Sequence, residues 1–312
     1  MNWRWKAAIQ KACSALPWGA EKVYYGLQRT VGSLRHPIAP FAQLSEVVSL
    51  SEWLRGAGLD IRGKRVMEVG TGRGLNLPFG FYLAGAASVD TFDLHRYLKH
   101  PLVEDSLAFM RSERATVEDL FLPLVDPETL RRRLDTLLLA RDAGEAMKIA
   151  GIRYHAPTDA ARTDLPEGCI DIHTSYTVFE HIPERALQRI LEEARRVLSP
   201  SGMVLHHIDP SDHFSHENHE VSPINFLQFS ETQWRNCAGN QFAYHNRLRA
   251  DQYQRMFEQC GYEILRWGPF VDASAVELLN SNFPLDSQFQ GISPEILCCV
   301  VLRVLARPRA TR

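Results

Sequence analysis

The sequence predicts a doubly wound α/β fold, with a seven-stranded sheet and helices on both of its faces. A short apolar run at residues 66–69 is typical of a buried strand, and glycines follow at positions 70, 72 and 74. Apolar residues with helical spacing come next, and strand and helix patterns then alternate along the chain. Strand, glycine turn and helix open a nucleotide-binding unit, because glycine lets the backbone turn tightly and approach a ligand.

Composition excludes several classes of protein. A chain of 312 residues with 45% hydrophobic residues fits one large α/β domain with additions. The formal net charge of -2 gives no general attraction to nucleic acid. The six cysteines form no C-x-x-C motif, so we expect reduced thiols and a cytoplasmic location. No apolar run reaches the roughly 18 residues of a membrane span, and we expect no secretory signal.

The sequence is expected to divide into an N-terminal helical cap, residues 1–45, and a main domain, residues 46–312. The cap carries aromatic and basic residues, among them Trp3, Trp5 and Lys6. It either packs over the mouth of the ligand site or makes a weak peripheral membrane contact, since tryptophan with lysine suits a headgroup layer. Insertions are expected at about 100–150 and 209–248, because a plain crossover needs far fewer residues.

The other elements follow from apolar periodicity and turn residues. Further strands are predicted at residues 88–94, 151–155, 167–175, 203–208, 262–270 and 296–304, the last antiparallel. Helices are predicted at residues 46–60, 102–110 and 251–260, after Pro183, and after Asp126, which caps a helix with Pro127 at its first position.

Two acidic residues lie on either side of the glycine loop, one just before it and one at the end of the second predicted strand. Glu68 precedes the loop, and Asp93 closes the second strand about 25 residues later. An acidic side chain there can accept hydrogen bonds from both ribose hydroxyls. The dinucleotide fingerprint requires glycine where Leu75 stands, so an NAD(P)-linked reductase of the same architecture is the weaker alternative.

Three segments carry a resemblance to a known family. Residues 68–74, acidic-x-Gly-x-Gly-x-Gly, resemble motif I of the class I S-adenosylmethionine (SAM) methyltransferases. Residues 176–183, Tyr-Thr-Val-Phe-Glu-His-Ile-Pro, resemble the V-L-E-H-I segment of the small-molecule enzymes, and residues 198–202 resemble their L-x-P-x-G pattern. The resemblance spans residues 60–270. It implies a Rossmann-like methyltransferase sheet with SAM as the cofactor.

The resemblance also implies which residues hold the cofactor. The glycine loop faces its methionine part, the end of the second strand its ribose, and the loop after the third strand its adenine. The implied residues are Glu68, Gly70, Gly72, Gly74, Asp93, Leu94, Asp159, Ala160 and Ser175. A protein that binds SAM without catalysis is a further alternative.

Histidines concentrate after the fifth predicted strand, where residues 206–219 hold five of the 12 in the chain. Open α/β sheets bind ligands at this carboxyl edge. We predict that His207 or His213 removes the proton of a hydroxyl acceptor, with Asp209 orienting the ring and His181 as the next candidate. The loop alternatively binds a divalent metal, which His and Asp suit, or it only hydrogen-bonds to itself. The sequence alone predicts no specific metal ligands.

The predicted acceptor is a small polar molecule, most simply a hydroxyl of a sugar, glycan or secondary metabolite. No basic module indicates RNA, and the amino-group methylase segment Asn-Pro-Pro-Tyr is replaced by Ser-Tyr-Thr-Val. Aromatic residues with Arg247 and Arg249 suit a polyol or an anionic glycan, and residues 203–262 are similar to bacterial polysaccharide and secondary-metabolite methyltransferases. An N- or C-methyltransferase of a natural product is the alternative, and the oligomeric state is not predicted.

Overall fold

The computed structural model describes residues 3–16, 18–30, 40–216, 218–240 and 242–310. Within these residues, seven strands form one sheet in the order β3-β2-β1-β4-β5-β7-β6. The strands are β1 (Arg65–Val69), β2 (Ser88–Phe92), β3 (Ile152–His155), β4 (Ile170–Tyr176), β5 (Leu198–Ile208), β6 (Tyr262–Val271) and β7 (Cys299–Pro308). Neighbouring strands pair in parallel except β7, which runs antiparallel to β5 and β6. The predicted doubly wound sheet is confirmed.

Helices cover both faces of this sheet. The first eight are α1 (Trp3–Ser14), α2 (Ala20–Thr30), α3 (Phe41–Gly56), α4 (Asn76–Leu83), α5 (His100–Ser112), α6 (Arg114–Phe121), α7 (Pro127–Leu138) and α8 (Ala143–Ile149). The others are α9 (Glu184–Val197), α10 (Glu231–Ala238), α11 (Ala250–Gln259), α12 (Ala273–Asn280) and α13 (Pro294–Leu297). Val66 of β1 packs with α3 and α4, whereas Met67 and Val69 pack with α9 and α11. Burial on both faces explains the continuous apolar run of β1.

The segment between β2 and β3 contains four helices, α5 to α8, of which the sequence predicted two. Asp126 caps α7, since its side chain accepts the backbone N–H of Thr129, and Pro127 stands in the first turn as predicted. Asp142 caps α8 in the same way through the N–H of Glu145. These helices extend the core that α3 and α4 form on one face of the sheet.

The segment after β5 contains several short regular elements. It contains 3₁₀ turns at His213–His216 and Asn225–Gln228, and the helix α10. Ser230 begins α10 with a capping box, in which its hydroxyl accepts the Gln233 N–H and the Gln233 side chain accepts the Ser230 N–H. A separate apolar cluster forms here, to which α1 and the connection before β7 contribute. Helix α10 therefore lies within the stretch where an insertion was expected, residues 209–248.

The described helices include none that is long and apolar enough to cross a membrane. All six cysteines are free thiols, as predicted.

Candidate active site

The glycine loop follows β1 and turns at two residues in the left-handed region. Gly70 has a φ of +86° and Gly72 a φ of +67°, values that favour glycine. A Cβ on Gly70 would lie 2.4 Å from a methyl carbon of Val178, so this glycine allows β4 and the loop to approach closely. A Cβ on Gly72 would meet no described atom within 4 Å, and the space beside it is open.

Asp93 connects the end of β2 to this loop. Its Oδ2 accepts the backbone N–H of Gly72 at 3.1 Å and the hydroxyl of Tyr154 at 3.3 Å. Burial raises the pKa of Asp93 to about 7, although these hydrogen bonds act in the opposite direction. The carboxyl group is therefore close to its titration point at neutral pH.

Glu68 lies fully buried beneath the loop. The hydroxyl of Thr91 donates a hydrogen bond to its carboxyl group. Burial raises the pKa of Glu68 to about 8, the Thr91 hydrogen bond opposes this shift, and the nearby charge of Asp93 adds to it. At neutral pH most of the population is protonated, so Glu68 can act as a hydrogen-bond donor.

A cavity of about 560 Å³ opens between the glycine loop and the end of β4, and we call it the cofactor cavity. This volume suits a small-molecule ligand. The lining comprises Glu68, the loop residues 70–74, Asn76, Ser106, Tyr176, Thr177 and His181, among others. Sequence reasoning missed Asn76, Ser106, Tyr176 and Thr177. Thr177 has a φ of 51°, and such backbone conformations concentrate at functional sites.

A second cavity of about 520 Å³ adjoins the first, and we call it the histidine cavity. Four histidines line it together with aromatic and amide side chains: His181, His213, His216, His245, Tyr97, Tyr244, Phe242, Gln10 and Gln28. Gly72, Arg73 and His181 line both cavities. His181 therefore stands at the junction between them.

The N-terminal helices form one wall of the histidine cavity. Gln28 of α2 accepts a hydrogen bond from Arg73 of the glycine loop. Glu21 of α2 pairs with Lys99 at 2.9 Å, and the ring of Tyr25 lies against both cations. These contacts hold α2 beside the glycine loop.

The histidine cluster consists of His181, His213 and His216 with the carboxylate of Asp209. Nδ1 of His181 donates to the backbone oxygen of Tyr244 at 2.9 Å, because a carbonyl oxygen can only accept. The rings of His181 and His213 lie 4.7 Å apart. Oδ2 of Asp209 lies 3.5 Å from Nε2 of His213 and 3.1 Å from Nε2 of His216.

Burial sets the protonation of His181. It lowers the pKa of this side chain to about 4, and the neighbouring His213 contributes in the same direction, although 43% of the side chain stays accessible. His181 is therefore neutral at pH 7. Since Nδ1 carries the proton, the lone pair lies on Nε2.

His207 has a different position from the one predicted. Its Nδ1 lies 2.8 Å from Oε1 of Glu46 on α3, and Arg303 of β7 donates to the other oxygen of Glu46 at 2.6 Å. Burial alone would raise the pKa of Glu46, but the hydrogen bonds from His207 and Arg303 lower it. Asp209 faces His213 and His216 instead of His207, so the predicted pairing of Asp209 with His207 is corrected.

The residues predicted for ribose and adenine lie at the ends of β2 and β3. The N–H of Thr158 donates to the backbone oxygen of Asp93 at 2.8 Å, which joins the two loops. Asp159 accepts the N–H of Ala161 in a local turn, Ala160 is buried, and Leu94 is 61% exposed.

Ser175, the remaining predicted cofactor residue, is fully buried. Its hydroxyl bonds Nδ1 of His206 at 2.8 Å, so it faces the interior of the sheet. The next residues, Tyr176 and Thr177, line the cofactor cavity in its place. Ser175 is not among the residues that line this cavity.

Arg247 and Arg249 do not serve as the expected acceptor contacts. Arg247 donates to the backbone oxygens of Phe226 and Phe229 and pairs with Glu231. Arg249 donates to the backbone oxygen of Pro210 and to that of Arg247. Both guanidinium groups are buried and hold the segment after β5 together.

A family model described as a methyltransferase domain matches residues 135–206. The match covers 72 of the 312 residues. The matched segment runs from α7 through β5 and includes Glu180 and His181, whereas the glycine loop precedes it. The match confirms the predicted methyltransferase with SAM as its cofactor. It leaves the acceptor undetermined.

Solved structures with a similar sheet share little sequence with the chain. The magnesium protoporphyrin IX methyltransferase of Synechocystis PCC 6803 is 12% identical, with 85% of this chain and 83% of that chain covered and a TM-score of 0.43. A SAM-dependent methyltransferase from Mesorhizobium loti is 17% identical, with 82% and 97% covered and a TM-score of 0.42. The geranyl diphosphate C-methyltransferase of Streptomyces coelicolor A3(2) is 11% identical, with 96% and 87% covered and a TM-score of 0.44. No curated protein matches the sequence significantly. Likenesses with TM-scores this low carry no argument about the acceptor.

Proposed function

We propose that this protein transfers the methyl group of SAM to a hydroxyl of a small polar acceptor bound in the histidine cavity. The observation that carries the proposal is the position of His181, which lines both cavities. Methyl transfer requires the acceptor atom in line with the methyl group at near-attack distance. Two cavities that share Gly72, Arg73 and His181 offer this arrangement, with the cofactor in one and the acceptor in the other.

The reaction is a single displacement. The acceptor oxygen attacks the methyl carbon, the bond from carbon to sulfur breaks, and S-adenosylhomocysteine is released. The hydroxyl proton leaves towards the histidine cluster, where neutral His181 and the pair of His213 with Asp209 lie. Helices α1 and α2, which wall the histidine cavity, reduce the access of water to the methyl group.

We assign the ribose to Asp93 and the methionine part of SAM to the glycine loop. Asp93 accepts the backbone N–H of Gly72, so the end of β2 lies beside the loop, although Asp93 is not among the residues that line the cofactor cavity. The open space beside Gly72 admits the cofactor, and Tyr176 and Thr177 form the opposite wall. The turn that contains Asp159 adjoins Asp93 and is our candidate for the adenine end.

The wall of the histidine cavity favours a hydroxylated acceptor. Aromatic rings of Tyr97 and Tyr244 stand among the amides of Gln10 and Gln28 and the cation of Arg73. Such a mixture binds the apolar faces and the hydroxyl groups of a compact polar molecule. A sugar, the end of a glycan, or a polyhydroxylated secondary metabolite fits this description.

The test is to incubate the protein with SAM and a panel of hydroxylated acceptors and to measure S-adenosylhomocysteine formation. NMR of the product then locates the new methyl group. A methyl group on oxygen supports the proposal. A methyl group on nitrogen or carbon contradicts it and indicates an N- or C-methyltransferase instead. SAM, but not NAD, is expected to raise the melting temperature, and the reverse result would contradict the proposal at its first step.

A further inference from the structure

Three side chains at the junction of the two cavities have the arrangement of metal ligands. Oε1 of Glu180 lies 3.9 Å from Nε2 of His181 and 3.9 Å from Nε2 of His213. The three atoms all lie within 4.8 Å of one another. Ligands of a tetrahedral ion with bonds of about 2.1 Å are separated by about 3.4 Å, so a small inward movement of the side chains closes the site.

Two of these side chains have buried polar atoms without a hydrogen-bond partner among the described residues. Glu180 is fully buried, and neither of its carboxylate oxygens has a hydrogen-bond partner among the described residues. Nε2 of His213 also lacks one within the same part of the chain. A carboxylate without a partner is costly in a protein interior, where buried charges are normally paired or coordinate a metal. Oε1 of Glu180 and Nε2 of His213 therefore lie close together without hydrogen-bond partners.

The orientation of His181 fits the same role. Its Nδ1 donates to the backbone oxygen of Tyr244, which leaves the lone pair on Nε2, 3.9 Å from Oε1 of Glu180. Metal-binding histidines typically donate their other N–H to a carbonyl or carboxylate in this way, and the contact fixes both the tautomer and the ring.

Two neighbouring side chains surround the site, and one of them, Asp209, also forms a group of possible ligands with His213 and His216. Both nitrogens of His245 are engaged, since Nδ1 accepts the N–H of Arg247 at 3.2 Å and Nε2 donates to the backbone oxygen of Asp209 at 3.3 Å. The Asp209 side chain lies 3.5 Å from Nε2 of His213 and adds negative charge beside the site. His245 therefore supports the site from outside the ligand set.

We propose that Glu180, His181 and His213 bind one divalent transition-metal ion such as Zn²⁺, with an open coordination position towards the histidine cavity. Two imidazoles and one carboxylate form a ligand set that suits such ions, and three protein ligands are typical of catalytic sites. With the ion bound, His181 and His213 act as ligands instead of as the base. The acceptor oxygen then occupies the open position, where the ion lowers the pKa of the hydroxyl, and the proton leaves to solvent. This catalytic role rests on the proposed function, whereas the binding of the ion does not.

The binding test uses the full chain, stripped with a chelator, without SAM or acceptor. Titration with Co²⁺ is expected to give visible absorption bands that saturate at one ion per chain, and Zn²⁺ is expected to displace Co²⁺ and raise the melting temperature. Glu180→Gln and His213→Ala are each expected to weaken Co²⁺ binding by at least about 100-fold, because a direct ligand is lost. His219→Ala is the matched control, since this exposed histidine belongs to the same loop but lies outside the cluster.

Two results would overturn the site. One is the absence of saturable Co²⁺ bands in the folded wild-type protein, and the other is unchanged Co²⁺ affinity in His213→Ala. His213 is partly accessible, so its variant decides the question even where Glu180→Gln fails to fold. Because no acceptor is present, a negative result leaves the proposed O-methylation standing. Methylation of nitrogen or carbon, with the ion bound, would contradict the catalytic role alone.

Discussion

Nδ1 of His181 lies 2.9 Å from the backbone oxygen of Tyr244, and this hydrogen bond turns the other ring nitrogen towards the junction of the two cavities. His181 comes from the turn after β4, whereas Tyr244 belongs to the segment before α11. The contact therefore joins the methyltransferase sheet to the segment that follows β5. It also places His181 against His213, the predicted residue that lines the histidine cavity but not the cofactor cavity.

His213→Ala is expected to lower turnover and to spare SAM binding. Loss of a group that activates the acceptor typically costs about 100- to 10,000-fold in rate. The dissociation constant of SAM should change little, because His213 lines only the histidine cavity. Steady-state kinetics and calorimetry measure the two effects, with His219→Ala as the control. Full turnover in His213→Ala would remove the histidine cluster from the chemistry.

His207→Gln is expected to lower the stability of the protein and to leave turnover unchanged. His207 pairs with Glu46 and lies beside Arg303, so its replacement weakens the link between α3 and the sheet and costs about 1–3 kcal/mol of stability. Urea denaturation at pH 7 measures this loss, and the folded fraction should retain its turnover. A fall in turnover comparable to that of His213→Ala, without loss of stability, would restore His207 as the base.

The sequence could not separate these two histidines, although it located the sheet and the glycine loop. The strand at residues 66–69 and the glycines are local patterns, and in the structure Asp93 contacts the loop through the N–H of Gly72. Within β5, alternation sends His206 towards Phe179 on one face and His207 towards α3 on the other, but sequence does not show which face holds a partner.

The histidine cluster and its neighbours Glu180 and His245 are brought together by contacts between distant parts of the chain. Glu180 and His181 follow β4, Asp209 and His213 follow β5, and His245 precedes α11. No local spacing connects these segments, so their meeting could only be seen in three dimensions. The capping box of α10, by contrast, could have been predicted, because Ser230 and Gln233 have the three-residue spacing of that motif. The sequence analysis did not identify it.

Asp93→Asn is expected to weaken SAM binding while the fold is retained. The substitution keeps the size of the side chain but removes the negative charge that ribose hydroxyls would meet. Hydrogen bonds to a charged group contribute about 1.5–3 kcal/mol, which corresponds to about 10- to 150-fold in the dissociation constant. Calorimetry measures it, with circular dichroism to check the fold. Unchanged affinity in the folded variant would remove Asp93 from the cofactor site.

The affinity for SAM is expected to rise with pH through about 7. Burial raises the pKa of Asp93 to about 7, so the free protein below this pH holds the carboxyl group protonated and must lose that proton to accept both ribose hydroxyls. Calorimetry between pH 6 and 8.5 should show weaker binding at the acid end, and Asp93→Asn should flatten the profile. A flat wild-type profile would contradict this assignment.

The same raised pKa values predict how the stability of the ligand-free protein depends on pH. Asp93 and Glu68 have folded-state pKa values of about 7 and about 8, above their ordinary values. Both groups bind protons more tightly when folded, so their stabilising contribution is full below about pH 4, declines as the unfolded chain ionises, and is lost once pH has risen through 7 and 8. Urea denaturation of wild type and Asp93→Asn across this range measures it. The variant should lose less stability than the wild type on raising the pH.

Gly72→Ala tests the cofactor cavity with the smallest change available. A Cβ at this position meets no described atom within 4 Å, so the fold accommodates it apart from the strain of a φ of +67°. In the complex, however, the methyl group would stand where the cofactor approaches the loop.

Gly63→Ala is the matched control, because Gly63 has a φ of +72° and similarly open surroundings but lies before β1. Each variant should lose about 1 kcal/mol of stability, and Gly72→Ala alone should bind SAM at least about tenfold more weakly. Equal SAM affinities for the two variants would show that the open space beside Gly72 does not receive the cofactor.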